Sequence, residues 1–229
     1  MNLKQKWLIS LFVPYGLIML TSMNLFPGHE LLKYPQVAGM ASLGLFVLFL
    51  QKTSWTHRWM AVGFFVMLGG DIAFVFFHNN LVGIGLYLVS YFFAIAALNK
   101  KPKFDRLEVL AFLVIIAIYG VVAVHLLIPN LSTEMLVAAM VFGMVLSLMS
   151  WTGFMAPRRR FFNKGVAALF ALGAGFILVS DVAVAYLIFY PGFTGYILWL
   201  ELLVRFTFMA GWLAFALALS GEVLTAEQE

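Results

Sequence analysis

Leu68-Gly69-Gly70-Asp71-Ile72-Ala73-Phe74-Val75-Phe76-Phe77 sets a single carboxylate inside an apolar run that reaches back to Trp59. A run of that length is a membrane-crossing helix, since about 20 apolar residues span the hydrocarbon core of a bilayer. A second carboxylate follows in the same setting, at Leu178-Val179-Ser180-Asp181-Val182-Ala183. On insertion scales each such aspartate costs about 2.5 to 3.5 kcal/mol at mid-membrane, so something must compensate for both.

The rest of the chain agrees with that setting. Of 229 residues, 64% are hydrophobic and 10% charged, more apolar side chain than a soluble domain of this size could bury. The net charge of +4 is gathered in short loops, not spread with aromatics over a polar face, which argues against nucleic-acid binding. The absence of cysteine excludes disulfides, thiol catalysis and Cys-ligated metals or clusters.

Outward from Asp71, the apolar runs predict an all-α, polytopic membrane protein of eight transmembrane helices. They are Trp7 to Phe26, Lys33 to Leu50, Trp59 to Phe77, Leu81 to Leu98, Leu107 to Ile128, Thr133 to Thr152, Phe162 to Tyr190 and Gly192 to Ser220. The first resembles a signal peptide but lacks a small-x-small cleavage site, so it is read as a membrane helix. Pro27-Gly28, Asn79-Asn80, Pro129-Asn130, Pro157 and Pro191-Gly192 punctuate the connections. No linker interrupts them, so residues 1–229 read as a single transmembrane domain, with Thr225 to Glu229 frayed.

Basic residues fix the expected orientation. Lys4 and Lys6, then Lys52 and Arg58, then Lys100, Lys101, Lys103 and Arg106, then Arg158, Arg159, Arg160 and Lys164 fall at the amino terminus and in every second loop. The opposite loops carry only His29, Glu30, Lys33, His78 and Glu134. The positive-inside rule then puts both termini in the cytoplasm. Helices three and seven each carry small residues before an aspartate and lead through a tight turn into the next helix, which suggests a four-plus-four pseudo-repeat about an axis along the membrane normal.

At 1.5 Å per residue, Asp71 lies about 9 Å, Asp181 about 13 Å, Glu201 about 10 Å and Arg205 about 16 Å below the outer surface, with Lys33 at the mouth of helix two. One depth band in the non-cytoplasmic half therefore holds the intramembrane charges. Helix four adds Gly83, Tyr87, Ser90, Tyr91 and Ala94 along one face, and helix six adds Gly143, Ser147, Ser150 and Trp151. A polar cavity is implied. Plainer readings stand beside this one: Glu201 and Arg205, four apart, as a structural ion pair; Lys33 as a snorkelling anchor; the aspartates as polar glue between helices. His78 and His125 are lone residues without metal-ligand spacing, so no metal is expected, and the aromatics read as core and interface belt, so no organic cofactor is expected.

Lys33-Tyr34-Pro35 opening helix two, Gly70-Asp71 late in helix three, and Gly173-Ala174 through Ser180-Asp181 in helix seven resemble the YhhN/TMEM86 family. Its characterised members are lysoplasmalogenases, eight-helix membrane hydrolases that cleave the vinyl ether bond of a lysoplasmalogen to a fatty aldehyde and a glycerophospho-head group. The resemblance covers most of the chain in helix order. Two stretches depart from it: Tyr91 and Ala94 stand where the family has a His and, three residues on, a Tyr, and Phe208, Met209 and Trp212 line up with a family Tyr-Tyr-x-x-Gln run.

The resemblance implies Asp71 and Asp181 as the catalytic pair. Vinyl ether hydrolysis begins with protonation of the double bond, followed by capture of an oxocarbenium ion by water. Two carboxyl groups in an apolar site suit that chemistry, one as general acid and one ionised to orient water, with the order of roles left open. Lys33, Tyr87, Ser90, Tyr91, Glu201 and Arg205 are the expected substrate-binding residues, with a lysophospholipid-type substrate, membrane lipids and no nucleic acid as partners. Compact loops suggest a bacterial inner membrane. The competing expectations are a proton-coupled small-molecule transporter and a non-catalytic lipid-binding relative; retinal binding is disfavoured because helices seven and eight lack a suitably placed lysine.

Overall fold

A computed structural model describes residues 3–25, 33–50, 54–99, 105–159, 161–192 and 197–226. The described chain forms eight helices: α1 Leu3–Leu25, α2 Lys33–Phe49, α3 Trp55–Val75, α4 Asn80–Leu98, α5 Arg106–Asn130, α6 Thr133–Arg159, α7 Lys164–Phe189 and α8 Leu198–Ala226. Seven are long and apolar enough to cross a membrane, and α2 is a shorter apolar helix. The Pro27-Gly28 turn, Lys52, Lys100, Lys101, Lys103, Arg160, the stretch 193–196 and the last three residues lie outside the described residues, as do the side chains of Lys4, Lys33 and Glu134.

Several helix ends differ from the hydropathy reading. Helix α3 starts at Trp55, before the apolar run, because Ser54 caps it by accepting from the His57 N–H. Helix α6 runs past Thr152 to Arg159 and carries Pro157 within its last turns, so Pro157 does not mark a connection. Helix α8 begins at Leu198, not Gly192, and continues beyond Ser220 to Ala226. Helix α5 passes through a π-helical turn over Ala123–Leu127, whose buried Ala123, Leu126 and Leu127 pack with Tyr186 and Phe189 of α7.

Six helices pack in a closed ring, in the order α2, α3, α4, α6, α7, α8 and back to α2. Outside it, α1 lies against α8 and α2, and α5 lies against α6. Shifting every label by four maps the ring onto itself, which is the packing pattern of a four-plus-four repeat. The most extensive contacts are α3 on α4 and α7 on α8, the two hairpins that follow the aspartates. The interior is filled by Phe64, Phe170, Trp212 and Phe215 with methionines such as Met60 and Met67, all buried.

Glycines set how closely those hairpins approach. A Cβ on Gly211 would lie 2.6 Å from Ile177 Cγ1 and 3.0 Å from the Gly173 carbonyl oxygen, and one on Gly173 would lie 2.9 Å from the Gly211 oxygen. Backbone cannot yield as a side-chain tip can, so this is a small-residue crossing of the kind that lets membrane helices pack tightly. Gly211→Val is therefore expected to destabilise the protein by about 1 to 3 kcal/mol. Gly85→Val, where an added Cβ meets nothing within 4 Å, is the control expected to melt like the wild type in detergent.

At the opposite end of the molecule from the aspartates, α4, α5 and α6 are pinned by charges. Arg159 donates to both carboxylate oxygens of Glu108 at 3.0 Å each and also to Asn99, with both charged side chains essentially inaccessible. Trp151 donates to the Glu108 carbonyl at 2.8 Å, and the Arg159 guanidinium lies 4.8 Å from its ring centre. Beside it, Arg158 bonds Asp105, the exposed N-cap of α5. That bond, together with the Glu108 N–H, holds the Asp105 carboxyl below the usual carboxylate range. Arg159, expected as a loop cation, is thus a buried residue of α6.

Candidate active site

Asp71 sits on the ring-facing side of α3, buried, one residue after Gly70. A side chain at Gly70 would collide with the Tyr87 ring of α4, so the glycine is what lets Tyr87 lie flat against α3 and bring its hydroxyl to Asp71. The Gly-Asp pair is one device. Tyr87 donates to Asp71 Oδ1, which also accepts from Gln36 Nε2 of α2 at 2.8 Å. Asp71 Oδ2 is buried with no partner.

The chain of bonds continues to α8. Arg205 Nη1 donates to Gln36 Oε1 at 3.3 Å, and Arg205 Nε donates to Glu201 Oε2 at 3.2 Å. Gln36 therefore turns its two amide ends to opposite charges, joining Asp71 to the Glu201–Arg205 pair. Both members of that pair are only partly buried.

Asp181 is held from the same face of α4. Tyr91, one turn beyond Tyr87 and fully buried, donates to Asp181 Oδ2 at 2.5 Å. Spacing by four on a helix places the two tyrosines one above the other, so α4 presents a phenol to each carboxyl group in turn. Phe74 and Phe208 pack on the Tyr87 ring and Phe142 on that of Tyr91, which fixes both hydroxyls. Ser180, beside Asp181, spends its hydroxyl on the Val204 carbonyl of α8 at 3.0 Å.

The predicted residues thus divide. Asp71, Tyr87, Glu201 and Arg205 belong to one hydrogen-bonded chain, and Tyr91 with Asp181 to a second. Ser90, predicted to bind substrate, is buried and donates to the Gly63 carbonyl at 2.9 Å, between α3 and α4. Lys33 opens α2 three residues before Gln36, and its side chain lies outside the described residues. Two participants escaped the sequence reading. Gln36 is the only amide side chain in α2, which was the available signal. Tyr15 of α1 was hidden among aromatics, and its hydroxyl is buried without a partner. Among the described residues no group of three or more His, Asp or Glu side chains is disposed to hold a metal.

The arrangement is that of two carboxyl groups, each fixed by a tyrosine, within a ring of apolar helices. Comparison with protein families decides the lineage: the family model described as the YhhN family matches residues 32–219. The chain belongs to the YhhN family. Membership carries a lysoplasmalogenase-like membrane protein at family level. No individually curated protein and no solved structure matches the chain. The match takes in every helix of the YhhN ring, α2 to α4 and α6 to α8, and leaves α1 outside it. Tyr91, standing where the family resemblance puts a His, is the residue that bonds Asp181. Trp212, at the position of a family Gln, packs edge-on against Phe64 and Phe215 with its indole nitrogen buried and unpartnered.

Proposed function

We propose that this protein is a membrane-embedded hydrolase that cleaves the vinyl ether bond of a lysoplasmalogen, with Asp71 and Asp181 as its acid/base pair. The observation that carries the reading is the one unpartnered oxygen of Asp71. Oδ1 is saturated by Tyr87 and Gln36, so Oδ2 is the face of the carboxyl group left for a reacting atom.

In this mechanism Asp71 delivers a proton from Oδ2 to the double-bond carbon remote from the ether oxygen. The other vinyl carbon becomes the oxocarbenium centre. Water adds there, its proton passing to ionised Asp181, which Tyr91 holds in place. The hemiacetal then collapses: its hydroxyl proton returns to Asp71 and the C–O bond breaks to release the fatty aldehyde, while protonated Asp181 gives its proton to the departing glycerol oxygen, so both carboxyl groups regain their starting states. Arg205, kept in position by Glu201 and Gln36, offers positive charge to the phosphate of the head group, with Lys33 at the mouth of α2. The compact loops favour a bacterial plasma membrane, and the basic ones put both termini inside and this site in the outer half.

The test is direct. Purified protein in detergent is given matched lysophospholipids with a vinyl ether or an ester linkage, and free aldehyde and fatty acid are measured. Aldehyde from the vinyl ether alone is the expected result. Fatty acid from the ester, or no product from either, rejects the proposal.

A further inference from the structure

A cavity of about 180 Å³ lies between α1 and α8, outside the ring and open at its rim, where Val13 and Phe206 stay exposed. Its walls are apolar: Phe12, Val13 and Gly16 from one helix, Met209, Ala210 and Leu213 from the other. From Arg205 to Leu213 it follows α8 for eight residues, or about 12 Å at 1.5 Å per residue. Arg205 and Tyr15 are its polar lining, and the Tyr15 hydroxyl, buried and unpartnered, is a donor with nothing to bond.

We infer that this groove is the hydrocarbon-chain site of a single-chain lipid, entered sideways from the bilayer, with Tyr15 donating to an oxygen of the lipid's polar part. Several observations name this occupant rather than a protein partner. Among the described residues its lining is polar only at Arg205 and Tyr15, as a chain with one head group requires. Its charged end is shared with the site, since Arg205 bonds Gln36 and Gln36 bonds Asp71. Its direction also fits: Arg205 is nearer the start of α8 and Leu213 lies farther along it, so a chain whose head group meets Arg205 runs inward along the helix. Pro14, with no N–H to bond the Ser10 carbonyl, interrupts the hydrogen-bond ladder of α1 beside the groove. One wall, α1, lies outside the residues matched by the family model, so the groove is not implied by that match.

The inference rests on the lipid-hydrolase reading, and its test separates the two. A saturated alkyl-ether lysophosphocholine bearing a diazirine on its chain is not a vinyl ether, so its binding does not depend on turnover. Photolabelling is expected on Ile9 to Met19 of α1 and Arg205 to Leu213 of α8. Gly16→Phe projects a ring into the groove from a position where a Cβ lies an ordinary 3.5 Å from Phe206. It is expected to weaken displacement of the probe by long-chain alkyl-ether lysolipids about tenfold while short-chain competitors are little changed. Tyr15→Phe is expected to weaken all chain lengths alike. Groove labelling without aldehyde release would keep this inference and reject the vinyl-ether reading. Labels elsewhere, or a chain-length profile that Gly16→Phe does not move, overturn the inference whatever the enzyme assay shows.

Discussion

Asp71→Asn and Asp181→Asn proteins are expected to fold, bind lipid and release aldehyde about 10²- to 10⁴-fold more slowly than the wild type, the usual contribution of a general acid or base. The substitution is informative because of what it keeps. An asparagine oxygen at position 71 can still accept from Gln36 and Tyr87, and one at position 181 can still accept from Tyr91, so the frame around each group survives. What changes at 71 is the unpartnered position, where an amide nitrogen replaces Oδ2 and cannot pass a proton to carbon. Tyr87→Phe and Tyr91→Phe remove only a positioning bond and are expected to cost about tenfold each, well short of the aspartates. Single-turnover aldehyde release, with melting curves to confirm folding, distinguishes the cases. Wild-type rates in both Asn variants would end the paired-carboxylate mechanism, and loss in only one would reduce it to a single catalytic group.

How far the sequence could lead depended on which signals stand out in an apolar chain. Membrane helices announce themselves by length of apolar run, so all eight were legible, and a lone charge inside such a run is conspicuous, so Asp71, Asp181, Glu201 and Arg205 were too. Helix ends were less so. Ser54 caps a first turn containing His57 and Arg58, which hydropathy excludes from a helix although the backbone does not. Arg158 and Arg159 look like loop charges until their partners on α5 are known. Uncharged polar partners were hardest. Tyr87 and Tyr91 lay on a face already marked as polar, but nothing in the chain said that each would take one aspartate. Gln36 and Tyr15 carry no charge to mark depth, and their roles arise only where α2 meets α3 and α1 meets α8. The two similar aspartate motifs were legible; the closed ring of six helices is a property of contacts far apart in sequence.

The second large effect concerns stability, at the far end of the same helices. Arg159→Met should destabilise the protein by about 3 to 5 kcal/mol, the cost of leaving a buried partner charge uncompensated. Glu108 would lose both of its carboxylate bonds while remaining inaccessible, and Asn99 and the Trp151 ring would lose their contacts with the guanidinium. Glu108→Leu alone should cost a similar amount by stranding Arg159. The double variant is the decisive arm, because two apolar side chains of comparable volume remove both the attraction and the desolvation cost, and it should recover most of the loss. Arg158→Ala, which breaks the exposed neighbouring bridge between the same two helices, should change little. Denaturant titration in mixed micelles measures all four proteins. If both single variants unfold like the wild type, the pair does not pin α5 to α6. If the double variant is as unstable as either single one, the guanidinium's bond to Asn99 and its stacking on Trp151, not its pairing with Glu108, hold this end of the bundle together.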